Sequence, residues 1–308
     1  MRPHLLPGVT PLVEGQIIAS FGRQFLVKTG EGDTLSCVAR GKKGGAACGD
    51  RVQIRTVEPG RQGVIETILP RTALLHRSDA YREKLIAANI TQVVIVVAAV
   101  PSFSEELINR FLAAAENQRL KLLIVLNKAD LVEATRAAAE ALKLYQELGY
   151  TLLKLSASTD PMPLRPYLSD QLSVFVGQSG MGKSTLINAL LPGANRATAS
   201  ISVALDSGRH TTTHARLYEI DGQSAIIDSP GLQEFGLYHM NNEELAWGFL
   251  EFRPYLGRCK FADCRHLQEP SCALVDATAQ GGIAKRRLHF YQMLATRLTS
   301  RSGGSSPD

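Results

Sequence analysis

No stretch of this chain is apolar for long enough to cross a membrane. The most apolar run, Val93 to Val100, has eight residues, whereas a spanning helix needs about 20. It fits a buried strand. The opening residues, Met1-Arg2-Pro3-His4-Leu5-Leu6-Pro7-Gly8, carry no apolar segment of signal-peptide length. Cysteine is scarce and odd in number, at five in 308 residues. That argues against a disulfide-stapled secreted scaffold and for a reducing cytoplasm, where clustered cysteines hold metal. No internal repeat recurs, which argues against a solenoid or propeller.

What is present is a mildly basic chain, net +5, long enough for two or three domains. The charge is uneven. Residues 1–74 carry +4, residues 75–238 carry −1 and residues 239–308 carry +2. Basic flanks around a near-neutral middle suggest an anionic partner such as RNA.

Three textures divide the chain at the same places. Residues 1–74 hold short alternating runs, 16–19, 24–28, 34–40, 51–55 and 63–66, separated by Gly22, Gly30 to Asp33, Gly44-Gly45, Gly49-Asp50 and Pro59-Gly60. Five short strands predict a small barrel of the OB type. Arg40, Lys42, Lys43, Arg51 and Arg55 cluster on its middle hairpin, where an oligonucleotide would lie. Cys37 and Cys48 read as plain small apolar residues.

Residues 75–238 alternate strand and helix. A strand over 93–98 precedes a helix whose predicted capping box is Ser102 with Glu105, and whose apolar face is Leu107, Ile108, Phe111, Leu112 and Ala115. A strand over 122–126, a helix over 133–148 stopped by Gly149, a strand over 152–155 and a proline loop (Pro161, Pro163, Pro166) follow. A strand over 174–176 and one over 225–227 complete an α/β domain. The order implies a mostly parallel sheet. Each motif described next sits just past a strand's C-terminal end, where ligands bind such sheets.

Gly177-Gln178-Ser179-Gly180-Met181-Gly182-Lys183-Ser184, followed by Thr185, is a GxxxxGKS phosphate loop between strand and helix. Its backbone N–H groups and helix N-terminus suit phosphates. Lys183 is expected on the β- and γ-phosphates and Ser184 on Mg²⁺. Asn127-Lys128-Ala129-Asp130 is the NKxD element. Its aspartate can accept both N1–H and N2–H of guanine, donors that adenine does not offer there. Asn127 is expected to brace the loops, and the Lys128 stem to lie along the base. Ser156-Ala157 resembles the SA element that backs guanine through a main-chain N–H. Asp228-Ser229-Pro230-Gly231 matches DxxG, the carboxylate facing Mg²⁺ and the Gly231 N–H sensing the γ-phosphate. Gly208-Arg209-His210-Thr211-Thr212-Thr213 lies where a switch threonine belongs, so Thr212 or Thr213 is the second Mg²⁺ ligand. NKxD precedes the phosphate loop by about fifty residues, the reverse of the usual order. The site therefore reads as circularly permuted. After DSPG comes Leu232, which cannot orient water as a glutamine does. Slow intrinsic hydrolysis is expected, with His210 the nearest residue able to orient or deprotonate water.

Residues 239–308 carry Cys259, Cys264, His266 and Cys272 within fourteen positions. Three thiolates and an imidazole suit a closed, structural Zn²⁺ site. With little apolar periodicity around them, the metal is expected largely to replace a core. A basic amphipathic helix is predicted from Ile283 to Arg301.

Taken together, NKAD, SA, GQSGMGKS, GRHTTT and DSPG in permuted order, behind an OB-like barrel and before the Cys-Cys-His-Cys cluster, resemble the circularly permuted GTPases of small-ribosomal-subunit assembly, the RsgA (YjeQ/YloQ) family. The resemblance spans nearly the whole chain. It implies an OB-fold RNA-binding barrel (1–74), a permuted P-loop GTPase domain (75–238) and a zinc-binding helical C-terminal domain (239–308). It implies GTP hydrolysis to GDP stimulated by the small subunit, rRNA gripped by barrel and zinc module, a role in late subunit maturation, and a cytoplasmic monomer without a membrane partner. In the matching switch element a histidine has been proposed to assist hydrolysis. The residues leave open an RNA-binding assembly chaperone, or a signalling GTPase acting on a protein, that uses GTP mainly as an occupancy switch.

Overall fold

The computed structural model describes residues 12–40, 45–57, 62–78, 83–191, 215–228, 237 and 240–302. Among the described residues five strands come first: β1 (Leu12–Phe21), β2 (Gln24–Thr29), β3 (Thr34–Ala39), β4 (Arg51–Thr56) and β5 (Gln62–Ile68). They pair in the order β1-β2-β3-β5-β4, and β4 returns to β1. That closes an OB-like barrel with one parallel pair, β3 with β5. Alternation explains it. Val52 and Ile54 of β4 point inward with Ile17, Phe25, Val27, Leu35, Cys37 and Ile65. Gly15 lets β1 serve two neighbours at once. A Cβ there would stand 2.6 Å from Val27 Cγ1 and 2.8 Å from the Lys28 carbonyl oxygen. Cys37 and Cys48 are free and fully buried, as expected of small apolar residues. Burial raises the Cys37 thiol to about 11.

A hairpin that the sequence pattern did not announce follows, β6 (Leu74–Ser78) with β7 (Glu83–Ala88). Its Leu75, Ile86 and Ala87 enter the main core.

The central sheet comprises β8 (Gln92–Ala98), β9 (Lys121–Asn127), β10 (Thr151–Lys154), β11 (Leu172–Val176), β12 (Arg216–Glu219) and β13 (Ala225–Asp228). Their order is β10-β9-β8-β11-β13-β12, all parallel except β12. All seven residues of β8 are buried, the mark of a strand covered on both faces. The chain steps from β8 outward to β9 and β10, then returns to β11 on the other side. This leaves a topological switch point at the ends of β8 and β11.

Helix α1 (Glu105–Asn117) buries Ile108, Phe111, Leu112 and Ala115 as its periodicity requires. Its cap differs from expectation. Ser104, not Ser102, is the N-cap and accepts from the Leu107 N–H at 3.4 Å. Glu105 thus begins the helix and is not its third residue, the position that a box needs. Helix α2 (Val132–Glu147) stops before Gly149, whose φ is 95°. The proline stretch is not a plain loop. A 3₁₀ turn, Met162–Leu164, runs into the short helix α3 (Arg165–Leu168). Pro163 and Pro166 fall in opening turns, where a missing N–H costs nothing. Helix α4 (Lys183–Leu190) follows β11 and packs Leu186, Ile187 and Leu190 inward.

The C-terminal part holds α5 (Asn242–Trp247), a 3₁₀ turn (Leu250–Tyr255), α6 (Ala273–Ala279) and α7 (Lys285–Ser302). It has more core than its sequence suggests. Phe249, Phe252, Tyr291 and Leu294 belong to the same buried cluster as Phe111 and Leu112 of α1. Gly248 lies so close to α1 that a Cβ would stand 2.7 Å from Ala113 Cα. No helix among the described residues is long and apolar enough to cross a membrane.

A candidate nucleotide site and a metal cluster

The phosphate loop leaves β11 at Val176 and enters α4 at Lys183. Two glycines are dictated by contact. At Gly177 (φ 142°) a Cβ would lie 2.2 Å from the Val96 carbonyl oxygen, and at Gly182 (φ 91°) 2.2 Å from Asn127 Nδ2. Both side chains would therefore drive the loop off its neighbouring strands. Ser179, Gly180, Ser184 and Thr185 are exposed, whereas Met181 is buried and its sulfur accepts from the Ala98 N–H at 3.1 Å. Lys183 Nζ donates to the Gly177 and Gln178 carbonyls, each at 2.7 Å. Burial lowers the Lys183 pKa, opposed by the Asp228 charge. Burial raises the Asp228 carboxyl, opposed by Lys183. The two facing charges at the ends of α4 and β13 thus share a poorly solvated place, where a polyanion and its cation would gain most.

β9 delivers Asn127 to the same place. Asn127 is 1% exposed. Its Nδ2 donates to the Met181 carbonyl at 2.9 Å, and its Oδ1 accepts from the Ala157 N–H at 2.9 Å. One side chain therefore ties together the NKAD turn, the phosphate loop and the Ser156-Ala157 turn. The Ala157 N–H, expected at the base, here donates to Asn127, so this element also fixes that asparagine. Ser156 Oγ donates to Asp130 Oδ1 at 2.5 Å, which orients the carboxylate. Ala129 N–H donates to the Leu155 carbonyl at 3.1 Å, completing the turn. Lys128 (φ 60°) reaches across to the Val100 carbonyl at 2.7 Å. Gln178 accepts from the Ser104 N–H at 2.7 Å, which ties the loop to α1. That contact, and the one from Lys128 to Val100, carried no sequence signal.

Gly231, His210, Thr212 and Thr213 lie outside the described residues, as do Ser229, Pro230, Leu232, Lys42 and Lys43.

The second constellation is Cys259, Cys264, His266 and Cys272, whose ligand atoms all lie within 4.8 Å of one another. His266 Nδ1 is 3.4, 3.6 and 3.4 Å from the three sulfurs in chain order, and Cys259 Sγ is 4.0 Å from Cys272 Sγ. A tetrahedral ion about 2.3 Å from sulfur and about 2.1 Å from nitrogen separates those ligands by roughly 3.5 Å. The donor set and its spacing fit a metal. Ala273 N–H donates to Cys259 Sγ at 3.3 Å, a contact that suits a thiolate.

Arg40, Arg51 and Arg55 of the barrel are exposed but paired. Arg40 and Arg55 of the barrel converge on Glu66 at 2.5 and 3.2 Å, and Arg51 lies 3.9 Å from Glu14. In the predicted basic helix, Arg287 is 1% exposed and paired at 2.5 Å with Glu251. Arg286 donates to the Ala141 carbonyl, and Arg297 pairs with Glu106. Arg286 and Arg297 tie α7 to the central domain while part of each side chain stays exposed, and Arg287 is buried between Asn109 of α1 and Glu251.

A mostly parallel sheet with a phosphate loop, a guanine-type turn braced against it, and motif order reversed along the chain define a circularly permuted P-loop GTPase. Comparison with known proteins agrees. Residues 68–238 match the family model described as RsgA GTPase. The chain is 61% identical over 308 residues to the small ribosomal subunit biogenesis GTPase RsgA of Nitrosospira multiformis, covering 99% of this chain and 98% of that protein. It is 54% identical over 287 residues to the protein of that name from Nitrosomonas europaea, covering 92% and 91%. Among solved structures, YjeQ from Thermotoga maritima superposes with a TM-score of 0.74 at 31% identity, over 96% of this chain and 100% of that one. YloQ, a circularly permuted GTPase, gives 0.70 at 27% identity over 97% of each. The chain belongs to the RsgA GTPase family and is a GTP-hydrolysing enzyme.

Proposed function

We propose that this GTPase acts in late maturation of the small ribosomal subunit, in the cytoplasm, as a monomer that turns over GTP slowly alone and faster on the subunit. The names borne by its relatives support the partner. The geometric support is the bracing of Asn127 against Met181, which sets the NKAD turn beside the phosphate loop. Asp130 reads the N1–H and N2–H of guanine, Lys128 and Ala129 frame the base, and Ser156 and Ala157 hold Asp130 and Asn127 in place. Gly177 to Gly182 wrap the phosphates with N–H groups, Lys183 meets the β- and γ-oxygens, and Ser184 and Thr185 open the helix behind them. Mg²⁺ bound with GTP neutralises charge on the β- and γ-oxygens. Ser184, with Thr212 or Thr213, would hold it, while Asp228 faces its water shell and Gly231 senses the γ-phosphate. With Leu232 in the usual glutamine position, His210 orients the attacking water. The four ligands Cys259, Cys264, His266 and Cys272 hold one structural Zn²⁺. The working units are residues 1–74, 75–238 and 239–308, with the barrel and the metal module contacting rRNA.

The test is phosphate release from GTP and ATP, with and without purified small subunits. Turnover of GTP alone, raised at least tenfold by subunits, is expected. GTP turnover that subunits leave unchanged would remove the ribosome from the reading and favour an occupancy switch.

A further inference from the structure

The central domain and the C-terminal module share a chain of hydrogen bonds that starts at the phosphate loop. The Ser104 N–H donates to Gln178 Oε1 at 2.7 Å, and Ser104 caps α1. The first residue of that helix, Glu105, accepts at Oε2 from Tyr145 OH at 3.1 Å. Tyr145 OH accepts in turn from Asn109 Nδ2 at 3.0 Å, and Asn109 Nδ2 also donates to the Glu105 carbonyl at 2.7 Å. Asn109 Oδ1 accepts from Arg287 Nη1 on α7, and Arg287 Nε donates to Glu251 at 2.5 Å. One turn further along α7, Tyr291 OH donates to the Arg265 carbonyl at 2.9 Å. Gln292 Nε2 donates to the His266 and Leu267 carbonyls at 3.2 and 2.8 Å. The path thus runs from the second residue of the phosphate loop to the backbone of a metal ligand.

Its middle is buried. Asn109, Tyr145 and Arg287 are all 1% exposed or less. Buried polar networks hold one geometry because every alternative leaves a group unpaired. The Arg287 guanidinium is further clamped 4.3 Å over the Phe249 ring. The backbones allow little slack, since Gly248 touches Ala113 of α1. A rotation of α1 that followed Gln178 would have to carry α7, or break these bonds.

We propose that Asn109, Tyr145 and Arg287 are positioning residues that couple the phosphate loop to the metal module, so that the γ-phosphate and the surface gripped by the module are linked through α1. None of the three belongs to the phosphate loop or to the NKAD, SA or DSPG elements. They act on the angle between the module and the loop. This rests on the function proposed above. By reciprocity, if the small subunit is bound more tightly in the GTP state, it must raise affinity for GTP over GDP by the same factor.

The test uses the full-length protein and purified small subunits. The quantity is the ratio of the subunit's Kd with GDP to its Kd with a non-hydrolysable GTP analogue. Tyr145→Phe removes the hydroxyl between Glu105 and Asn109 and keeps the ring. It is expected to lower that ratio by about fivefold, with nucleotide affinity off the subunit and bound metal unchanged. Arg286→Gln, which loses the contact of α7 with Glu105 at 3.5 Å, is the second variant should Tyr145→Phe fold poorly. It is expected to lower the ratio in the same direction. A wild-type ratio in the well-folded variant, or a ratio of one in the wild type, overturns the link and leaves the site reading intact. Failure of the wild type to bind guanine nucleotide or subunit sinks the function itself.

Discussion

At the scale of single residues, Asn127 carries more than its motif announces. The NKxD pattern marks it as part of a base-reading turn. Only the fold shows both ends of its amide committed, to Met181 and Ala157. The glycine spacing of the phosphate loop was legible because φ near 90° and a 2.2 Å approach leave no alternative to glycine at Gly182. The cap of α1 was misread because Ser102 and Ser104 are both good caps, and only tertiary contact with Gln178 chooses between them. Asp130 gives the sharpest test. Its carboxylate is held by Ser156 and, in the role proposed for it, would present two acceptor oxygens to two guanine donors. Asp130→Asn replaces one acceptor by a donor, which meets a donor on guanine and an acceptor on xanthine. Loss of a charged hydrogen bond costs about 1.5–3 kcal/mol. GTP affinity is therefore expected to fall ten- to a hundredfold, with xanthosine triphosphate gaining. Calorimetric titration of both nucleotides measures it, and unchanged GTP affinity would remove Asp130 from the base.

At the scale of elements, the strands of barrel and sheet were legible from period and turn residues, since alternation and continuous apolar runs report how many faces are covered. The β6–β7 hairpin was not, because its inward Leu75 and Ile86 answer to a core built by distant strands. Helix α7 shows the larger error. Composition marks the helix from Ile283 to Arg301 as basic and amphipathic, but a buried arginine is invisible until Glu251 and Asn109 are known to face it. The distinction has measurable size. Breaking a buried pair strands a charge and costs about 3–5 kcal/mol, whereas an exposed pair is worth about 0–1 kcal/mol. Arg287→Ala is accordingly expected to destabilise the protein by several kcal/mol, and Arg297→Ala, whose side chain is 53% exposed, by less than about 1 kcal/mol. Urea unfolding of both variants checks the order. Equal effects would mean that the Arg287–Glu251 pair is solvated in solution.

At the scale of the whole molecule, motif order gave the permutation, because each motif is tied to its strand end and the strand order must then follow. The seams between parts had no such signature. The barrel is joined to the central sheet where β1 meets β12, through Ala19 with Arg216, Ser20 N–H on the Ala215 carbonyl at 3.1 Å, and Lys28 with Glu219 at 2.7 Å. The C-terminal module joins the same core against α1. This changes what the metal is for. Read from the sequence, the four ligands stand in for a missing core. In the structure Phe249, Phe252, Tyr291 and Leu294 are buried against α1, in a core that takes in Cys272 and touches Cys259 and Cys264 only at its edge. Glu269 also accepts from the Arg265, Leu267 and Gln268 N–H groups, so the ligand loop has bonds of its own. Metal binding is then expected to be coupled more to the order of that loop than to folding of the molecule. Chelation is expected to speed amide exchange in residues 259–272 and expose their three thiols to alkylation. Exchange within α1 and the first half of α7 should be unchanged, and Cys37 and Cys48 should remain protected by burial. Loss of the whole native exchange pattern on chelation would show instead that the metal, and not the shared aromatic core, holds the module on the GTPase domain.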